Sequence, residues 1–359
     1  RSTLFPYTTL FRSALAILYQ LYCMVLLMME TTETADSRKE RALNKLKRDL
    51  GNEFLEKFMN PNLVEVMFNP KQTGNGVSVY WEEQGKEMVY DERLSDWFKT
   101  SRVEAVIKTV AGYHGKVITE DLPILESQFP IDGSRFTAIL PPVTASPSFT
   151  IRKKPARVFT LDEYVSAGIM TESQRQTIRN AVSEHGNILV IGGTGSGKTT
   201  LINAILYDMS EQNPNERLYI SEDTGEIQCH SQNKVQVYTT GSIDLTKLVK
   251  TALRYRPDRI IVGEVRGAEA LDLLDIWNTG HPGGIATLHA NNAALGLERL
   301  ESLITRNPAH PAAIRPLVAQ VIHYIVSIGK DEKTGRKIRE IIKIKGLDEK
   351  SGNYVFDYL

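Results

Sequence analysis

The chain has 359 residues, enough for two ordinary domains that each bury a core of their own. Its formal net charge is zero and its hydrophobic and charged fractions are those of a globular protein, so a basic sheath for non-specific binding to duplex DNA is not indicated. The only two cysteines, Cys23 and Cys229, exclude a disulfide framework and a four-cysteine zinc module, and they suit a reducing compartment.

The first 29 residues differ from the rest of the chain. The segment from Ala14 to Met29 is almost continuously apolar, but it is short for a membrane span, which needs about 20 residues. A signal peptide would account for Arg12 ahead of the apolar run, although no small-residue cleavage site follows. The opening 13 residues resemble translated sequencing-adapter read-through. We therefore expect residues 1–29 to be a non-native or unstructured extension. The expected natural start is one of three methionines, Met24, Met28 or Met29.

Residues 30–155 mix helical and strand patterns, which predicts a small α+β N-terminal domain. The predicted elements are a helix at Ser37–Leu50, hairpin strands at Leu63–Phe68 and Val77–Trp81 joined by a turn at 73–76, a helix at Ser101–Tyr113, and strands at Arg135–Leu140 and Ser148–Arg152.

A basic connector broken by a proline follows, and residues 156–170 are expected to form a linker. Thr160 and Thr171 each begin a stretch with the spacing of a capping box, and the helix after Thr171 is expected to end at Gly186. Strands and helices then alternate, which predicts a parallel sheet wrapped by helices for residues 171–359. The predicted order is strand Asn187–Ile191, a glycine-rich loop, helix Thr199–Met209, strand Arg217–Ile220, helix Leu245–Leu253, strand Arg259–Val262, helix Ala268–Asn278, strand Ile285–Leu288, and antiparallel strands around turns at 332–335 and 349–352.

The glycine-rich loop has the pattern of a phosphate-binding P-loop. Residues 192–199 read Gly-Gly-Thr-Gly-Ser-Gly-Lys-Thr between an apolar strand and a helix, whose N-terminal N–H groups point at the same place as those of the loop. Lys198 supplies charge to the β- and γ-phosphates, and the Thr199 hydroxyl suits Mg²⁺. This strand–loop–helix context disfavours the alternative, a glycine-rich turn without a ligand. The predicted ATP-binding residues are Gly192, Gly193, Thr194, Gly195, Ser196, Gly197, Lys198, Thr199 and Thr200.

Acidic residues follow two of the predicted strands. Glu264 comes after Gly263, which occupies the usual aspartate position, so Glu264 is the only acid at that strand end and could orient the attacking water; the alternative is a solvated glutamate. The run 222–226 follows another strand, at the edge where ligands bind in such folds, although an isolated acidic turn would carry little weight. The predicted Mg²⁺ ligands, partly through water, are Thr199, Glu222, Asp223 and Glu226.

Histidines and arginines complete the candidate site. His281 and His289 bracket a glycine-rich turn and a short strand, and one of them, with His289 favoured, is expected to sense phosphate or contact the carboxylates; a structural histidine is the alternative. Arg135 and Arg152 could neutralise charge on the γ-phosphate if the N-terminal domain caps the nucleotide, although each taken alone reads as a surface arginine. The predicted catalytic residues are Glu264, Lys198, Glu222, His289, Arg135 and Arg152.

These motifs, in this order, resemble the secretion ATPase superfamily and are similar in particular to the VirB11-like ATPases of type IV secretion, including the TrbB-type conjugal transfer proteins. The resemblance extends from about residue 40 to the end. It is carried by residues 253–267, 278–281, 286–291, 132–142 and 151–152.

The resemblance implies a hexameric ring in which each subunit has an N-terminal domain hinged to a RecA-like P-loop motor domain, with ATP between them. It implies that Glu264 is the catalytic acid, that residues 222, 223 and 226 form an aspartate box, and that His281 and His289 form a histidine box. Arg135 and Arg152 would reach the nucleotide from the N-terminal domain. The expected function is a cytoplasmic ATPase, peripheral to the inner membrane, that energises substrate transfer or pilus assembly with inner-membrane partners and without direct sequence-specific nucleic-acid contact.

Other functions remain as alternatives. A type IV pilus assembly or retraction motor, or a type II secretion-like ATPase, would use the same chemistry; the lack of a zinc-binding cysteine cluster argues against the type II branch. A GTPase is disfavoured because no Asn-Lys-X-Asp motif occurs, and a small-molecule kinase would not need Glu264 aimed at water. A non-hydrolysing scaffold would be expected to lack Lys198 or Glu264, and both are present.

Overall fold

The computed structural model describes residues 36–71, 76–154 and 157–359. The expected extension over residues 1–29 and most of the turn expected at 73–76 lie outside these ranges. The chain divides into two compact units, with the division between Lys153 and Lys154. Within the described ranges, no helix has the length and apolar character needed to cross a bilayer.

The N-terminal unit is built on a six-stranded antiparallel sheet in the order β3-β2-β1-β6-β5-β4. A cluster of aromatic rings, among them Phe54, Phe68 and Phe149, fills its core. Its elements are α1 (residues 36–50), α2 (Asn52–Phe58), β1 (Leu63–Pro70), β2 (Val77–Glu83), β3 (Val89–Asp91), α3 (Glu92–Trp97), α4 (Thr100–Tyr113), β4 (Ile124–Gln128), β5 (Arg135–Ile139) and β6 (Ser148–Arg152).

The elements predicted for this unit are confirmed, including the pairing of β1 with β2. Sequence patterns missed α2, α3, β3 and β4, which are short or lie at a sheet edge. Strand β5 buries Phe136 and Ala138, and strand β6 buries Phe149 and Ile151. Because side chains alternate along a strand, Arg135 and Arg152 lie on the face away from this aromatic core.

The C-terminal unit is built on an eight-stranded sheet in the order β14-β13-β12-β7-β11-β10-β8-β9. The strands from β12 to β9 in this order are parallel, whereas β13 and β14 are antiparallel additions at one edge. Its elements are α5 (Leu161–Ser166), α6 (Glu172–Ser183), β7 (Ile188–Ile191), α7 (Lys198–Gln212), β8 (Leu218–Glu222), β9 (Lys234–Tyr238), α8 (Leu245–Ala252), β10 (Arg259–Val262), α9 (Glu269–Asn278), β11 (Ile285–Leu288), α10 (Ala293–Ile304), α11 (Ile314–Val321), β12 (Tyr324–Asp331), β13 (Gly335–Leu347) and β14 (Tyr354–Tyr358).

Helices cover both faces of this sheet. One buried cluster joins α5, α6 and α7 to the sheet, and another joins α8, α9, α10 and α11 to its other face. The central strands β7, β8, β10 and β11 are buried along their whole length, as expected for parallel strands covered on both sides. Their parallel direction brings the residues that follow β7, β8, β10 and β11 to one edge of the sheet, and this edge holds the candidate site.

The end of α6 differs from the prediction. Gly186 was expected to be the glycine that terminates this helix, but the residue in the left-handed conformation is His185, with φ of 55°. The Gly186 N–H donates to the Ala181 carbonyl, and the His185 N–H donates to that of Val182, which together make a Schellman ending. Gly186 is instead required by packing, because an added Cβ would lie 3.0 Å from the Tyr324 ring.

Residues 156–170, expected to be a linker, include the helix α5. Its Leu161 and Tyr164 are buried in the core of the C-terminal unit, and a capping box at Thr160 begins it as the sequence predicts. Sequence patterns also missed β9, α10 and α11. Strand β9 lies at the sheet edge and is only partly buried, so it lacks the continuous apolar run of a central strand.

Candidate active site at the carboxyl edge of the parallel sheet

The predicted P-loop connects β7 to α7. Glycine is needed at several of its positions, for different steric reasons. Gly195 and Gly197 have φ of 66° and 99°, in the left-handed region that favours glycine. An added Cβ on Gly192 would lie 2.3 Å from the Ile328 carbonyl oxygen, so no larger residue fits there. An added Cβ on Gly193 would meet no atom within 4 Å, so the loop is open at this point. The backbone is therefore shaped as a cradle with an accessible mouth, which fits a phosphate chain.

Lys198 begins α7 and is folded back over the loop. Its side chain is buried, and Nζ donates to the carbonyl oxygens of Gly192 and Gly193, each at 3.0 Å. Both ring nitrogens of His289 lie 3.4 Å from the same Nζ. The P-loop lysine is thereby connected to the residue that follows β11.

Glu264, which follows β10, is held by two cationic or polar partners. Its Oε2 lies 2.5 Å from an Arg266 guanidinium nitrogen, and its Oε1 lies 2.9 Å from His289 Nε2. Burial on its own would raise the pKa of Glu264, but Arg266, with His289 and Lys198, outweighs it and holds that pKa below its usual range. Glu264 is therefore ionised at neutral pH.

The tautomer of His289 follows from these partners. Burial and the charge of Lys198 lower the pKa of His289, so the ring is neutral at pH 7. Because an ionised carboxylate only accepts hydrogen bonds, the tautomer that carries its proton on Nε2 suits the 2.9 Å approach of Nε2 to Glu264 Oε1. His289 thus links the P-loop lysine to the acid at the end of β10.

Glu222, at the end of β8, organises the acidic turn that follows. Its Oε1 accepts from the N–H groups of Glu226 and Ile227 at 2.9 and 2.7 Å, and its Oε2 accepts from the Gln236 amide at 2.9 Å. Burial raises the pKa of Glu222 despite these donors. With both oxygens engaged by the protein, the residue holds the turn in shape.

Two other acids of this turn face different partners. Glu226 Oε2 lies 3.4 Å from the Thr199 hydroxyl, and Asp223 Oδ2 lies 3.1 Å from an Arg266 nitrogen. Among the described residues, no three His, Cys, Asp or Glu side chains converge closely enough to hold a metal ion by themselves. The Thr199–Glu226 pair still fits a Mg²⁺ ion, which in nucleotide sites takes one or two protein oxygens, phosphates and water.

Gly263 stands where P-loop proteins usually have an aspartate, and the structure gives a steric reason for the glycine. An added Cβ at this position would lie 3.0 Å from Cγ of Glu222 on the neighbouring strand. The Gly263 carbonyl also accepts from the Thr287 hydroxyl at 2.6 Å, and its N–H donates to Ser221. The side chain of Glu222 occupies the space that an aspartate at 263 would need.

The structure does not bring His281 into this arrangement. His281 precedes β11, at the opposite end of that strand from His289, and its neighbours Gly283 and Gly284 donate to the Asn187 side chain ahead of β7. An added Cβ on Gly284 would lie 2.0 Å from Trp277 Nε1, so this glycine run is a packing requirement. Of the two candidate histidines, the structure therefore places the favoured one, His289, beside Lys198 and Glu264 within this unit.

Arg135 and Arg152, 17 positions apart in sequence, are brought together in the N-terminal unit. They are direct partners across β5 and β6, and directly opposed side chains lie on the same face of a sheet. Lys153 Nζ donates to Asp132 at 2.6 Å and ties the ends of these two strands together. The register of β5 and β6 therefore places two guanidinium groups on one face of the N-terminal sheet.

Two cavities border the start of the P-loop. One of about 360 Å³ lies against the end of β12 and is bordered by Lys330 and Arg339. The other, of about 470 Å³, lies against the residues after β11 and is bordered by His289 and Arg299. The open side of Gly193 therefore faces space with cationic borders, as an anionic ligand requires.

Sequence reasoning missed two residues of this site. Arg266 holds both Glu264 and Asp223, and its signal was an arginine two positions after the acid at the strand end. Gln236 holds Glu222 from β9, a strand that the sequence did not predict. Only the pairing of β8 with β9 could have identified it.

Comparison with known proteins identifies the family. A family model described as "Type II/IV secretion system protein" matches residues 54–352. The "Probable conjugal transfer protein TrbB" of Sinorhizobium fredii is 41% identical over 311 residues, which cover 85% of this chain and 90% of that protein. The "Conjugal transfer protein TrbB" of Rhizobium radiobacter is 40% identical over 306 residues, which cover 85% of this chain and 91% of that protein.

The chain belongs to the type II/IV secretion system protein family. The P-loop, the acid after β10 and this membership make it a P-loop ATPase of the secretion class. The crystal structure of the Legionella pneumophila ATPase DotB matches with a TM-score of 0.55 and 21% identity, covering 79% of this chain and 77% of that one, and it supports the fold alone. The predicted RecA-like motor fold with an N-terminal α+β unit is confirmed for the family.

Proposed function

We propose that this ATPase powers a conjugal transfer or related type IV secretion apparatus by hydrolysing ATP at the carboxyl edge of its parallel sheet. The observation that carries the proposal is the convergence there of the P-loop lysine, Glu264 and His289, with Glu264 ionised and held by a hydrogen bond from Arg266. The TrbB relatives, similar over most of the chain, favour conjugal transfer over a pilus retraction or type II secretion role.

Each residue has a part in the proposed reaction. Backbone N–H groups of residues 192–199 and the N-terminus of α7 bind the phosphates, and Lys198 turns from the loop carbonyls to the β- and γ-phosphates. Glu264 orients and polarises the attacking water, while His289 keeps the Glu264 carboxylate aligned with Lys198.

Thr199 and Glu226 are the proposed Mg²⁺ ligands, with Asp223 acting through water. The ion would supply charge to neutralise the β- and γ-phosphate oxygens. Glu222 supports this metal site indirectly by holding the acidic turn in shape. Its own oxygens accept hydrogen bonds from Glu226, Ile227 and Gln236.

The N-terminal unit contributes the opposed arginines Arg135 and Arg152 in this proposal. Residues 30–155 would act as the domain that closes on the nucleotide, and residues 171–359 as the motor. A homohexameric ring, located in the cytoplasm at the inner membrane, would pass the motion to membrane partners of the apparatus. Neither the closing domain nor the ring requires the chain to bind a specific nucleic-acid sequence.

The test is steady-state ATP hydrolysis by the full chain beside Glu264→Gln. The amide keeps the shape but cannot act as an anion towards water, so turnover should fall at least about 10²-fold while binding of a non-hydrolysable ATP analogue persists. Lys198→Ala should weaken analogue binding as well. Equal turnover by the parent and Glu264→Gln proteins would contradict the assignment of Glu264.

A further inference from the structure

Arg266 is the half-exposed cation through which the two acidic parts of the site are connected. One guanidinium nitrogen lies 2.5 Å from Glu264 Oε2, and the other lies 3.1 Å from Asp223 Oδ2. The planar guanidinium has donors in a fixed fork, so it can hold two carboxylates at a set separation, which a lysine cannot do as well. Glu264 follows β10 and Asp223 follows β8, so Arg266 joins the ends of two adjacent strands.

The backbone of Arg266 is held independently of its side chain. The buried Glu269 accepts from the N–H groups of Arg266 and Gly267 at 2.6 and 2.7 Å, and Arg306 donates to the Arg266 carbonyl at 3.1 Å. An added Cβ on Gly267 would lie 2.8 Å from Glu269, so the turn is tightly packed. The guanidinium therefore extends from a fixed base, which is what a positioning residue needs.

The two oxygens of Glu264 are controlled from opposite sides. Arg266 donates a hydrogen bond to Oε2 at 2.5 Å, and His289 Nε2 lies 2.9 Å from Oε1, so each oxygen of the carboxylate has a partner of its own. With His289 alone, the carboxylate could rotate about its last torsion, a motion with broad, shallow minima. A rotation of this kind displaces the oxygen that would face water by about 1 Å, and such a displacement costs about 10²-fold in rate.

We propose that Arg266 is a positioning residue that fixes the orientation of Glu264 relative to the acidic turn, and thereby sets the rate of water attack. The inference rests on the proposed function of Glu264. It assigns Arg266 no direct contact with phosphate. Its effect should therefore appear in kcat, disappear when Glu264 is changed, and leave nucleotide binding alone.

The experiment is steady-state ATP hydrolysis by the full chain carrying Arg266→Ala, with Arg266→Lys and Arg315→Ala alongside. Arg315 is a matched control, because it is also a half-exposed arginine paired with a glutamate, Glu301, at 3.3 Å on the helices α10 and α11. Arg266→Ala should lower kcat about 10²-fold with the affinity for a non-hydrolysable analogue within about twofold. Arg266→Lys and millimolar guanidinium added to Arg266→Ala should each restore part of the loss, and Arg315→Ala should match the parent chain.

A double-mutant cycle with Glu264→Asp decides how Arg266 acts. The shorter aspartate cannot reach Arg266 and His289 in the same geometry, so adding Arg266→Ala to Glu264→Asp should cost less than about twofold more. A full further loss would overturn the proposal in favour of direct phosphate contact, and an unchanged kcat in Arg266→Ala would overturn it outright. If Glu264→Gln abolishes turnover while Arg266→Ala does not, the proposed function stands and only this inference fails.

Discussion

At the scale of single residues, the least expected feature is the glycine at position 263. The sequence displays this glycine as a departure from the usual aspartate, and a reader of the sequence has no means to explain it. The structure supplies the reason, because Glu222 on the neighbouring strand already fills the space beside Gly263. The Glu222 side chain from β8 therefore occupies that place, and Gly263 after β10 makes room for it.

This relation predicts that restoring the aspartate is harmful. In Gly263→Asp the new Cβ would lie 3.0 Å from the Glu222 Cγ, and a second carboxylate would be added beside a buried one. Overpacking of this kind costs about 1–3 kcal/mol, which lowers Tm by about 2–4 °C per kcal/mol in a domain of this size. This fall in Tm is measured by thermal unfolding of the variant and the parent chain. Gly241→Asp is the control, because an added Cβ there meets no atom within 4 Å. Equal Tm values for both variants would refute the steric explanation.

The residue scale also shows what a sequence can foresee. The phosphate loop and Glu264 were predictable, because each follows a buried strand and its chemistry depends on residue type alone. Arg266 and Gln236 were not, because their roles depend on which strands are neighbours. The choice between His281 and His289 depended on the fold in the same way, because β11 separates the two histidines and places them at opposite ends of that strand.

At the scale of elements, the sequence predicted the continuously apolar strands and the helices that begin with a capping box. It did not predict the edge strand β9 or several of the short helices. Strand β9 alternates weakly and is half-buried, so nothing in its composition separates it from a loop. The end of α6 shows a finer limit. Glycine and histidine stand side by side, and tertiary packing against Tyr324 assigns the glycine to the contact and the left-handed turn to His185.

The junction of α11 and β12 gives a prediction about pH. His323 Nδ1 accepts from the Asn187 N–H at 2.9 Å, which requires an unprotonated ring nitrogen. Burial lowers the pKa of His323, against the opposing charge of Glu184. The folded state therefore favours the neutral ring, whereas the unfolded chain binds a proton below about pH 6.5. The stability that His323 contributes is present above that pH and is lost as the pH falls below it.

The measurement is Tm at pH 7.5 and 5.5 for the parent chain and for His323→Asn. The asparagine oxygen can accept from the same N–H but does not titrate, so the variant should lose less Tm on acidification than the parent chain. His230→Asn is the matched control, since His230 is exposed. An identical loss in the parent and His323→Asn proteins would show that this hydrogen bond does not couple to pH.

At the scale of the whole molecule, each unit presents half of the proposed chemistry. The C-terminal unit holds the phosphate loop, Glu264 and His289, and the N-terminal unit holds the opposed arginines Arg135 and Arg152. The sequence pointed to both groups of residues, because Arg135 and Arg152 lie in the segments 132–142 and 151–152 that resemble the family. Their direct opposition across β5 and β6 came only from strand register.

Replacing the opposed arginines Arg135 and Arg152 distinguishes a role in stability from a role in hydrolysis. If the pair serves hydrolysis and not the fold, replacing both arginines with glutamine, which removes two like charges from one face of the sheet, should change the Tm of the protein little. If the pair neutralises γ-phosphate charge in the assembled ATPase, the same double variant should lose about 10³-fold or more in kcat while it still binds ATP. Arg93→Gln, an exposed arginine of the same unit, should leave kcat unchanged. Unchanged turnover in Arg135→Gln/Arg152→Gln would mean that these arginines do not meet the nucleotide. A fall in Tm that parallels the loss of kcat would mean that the pair serves the fold.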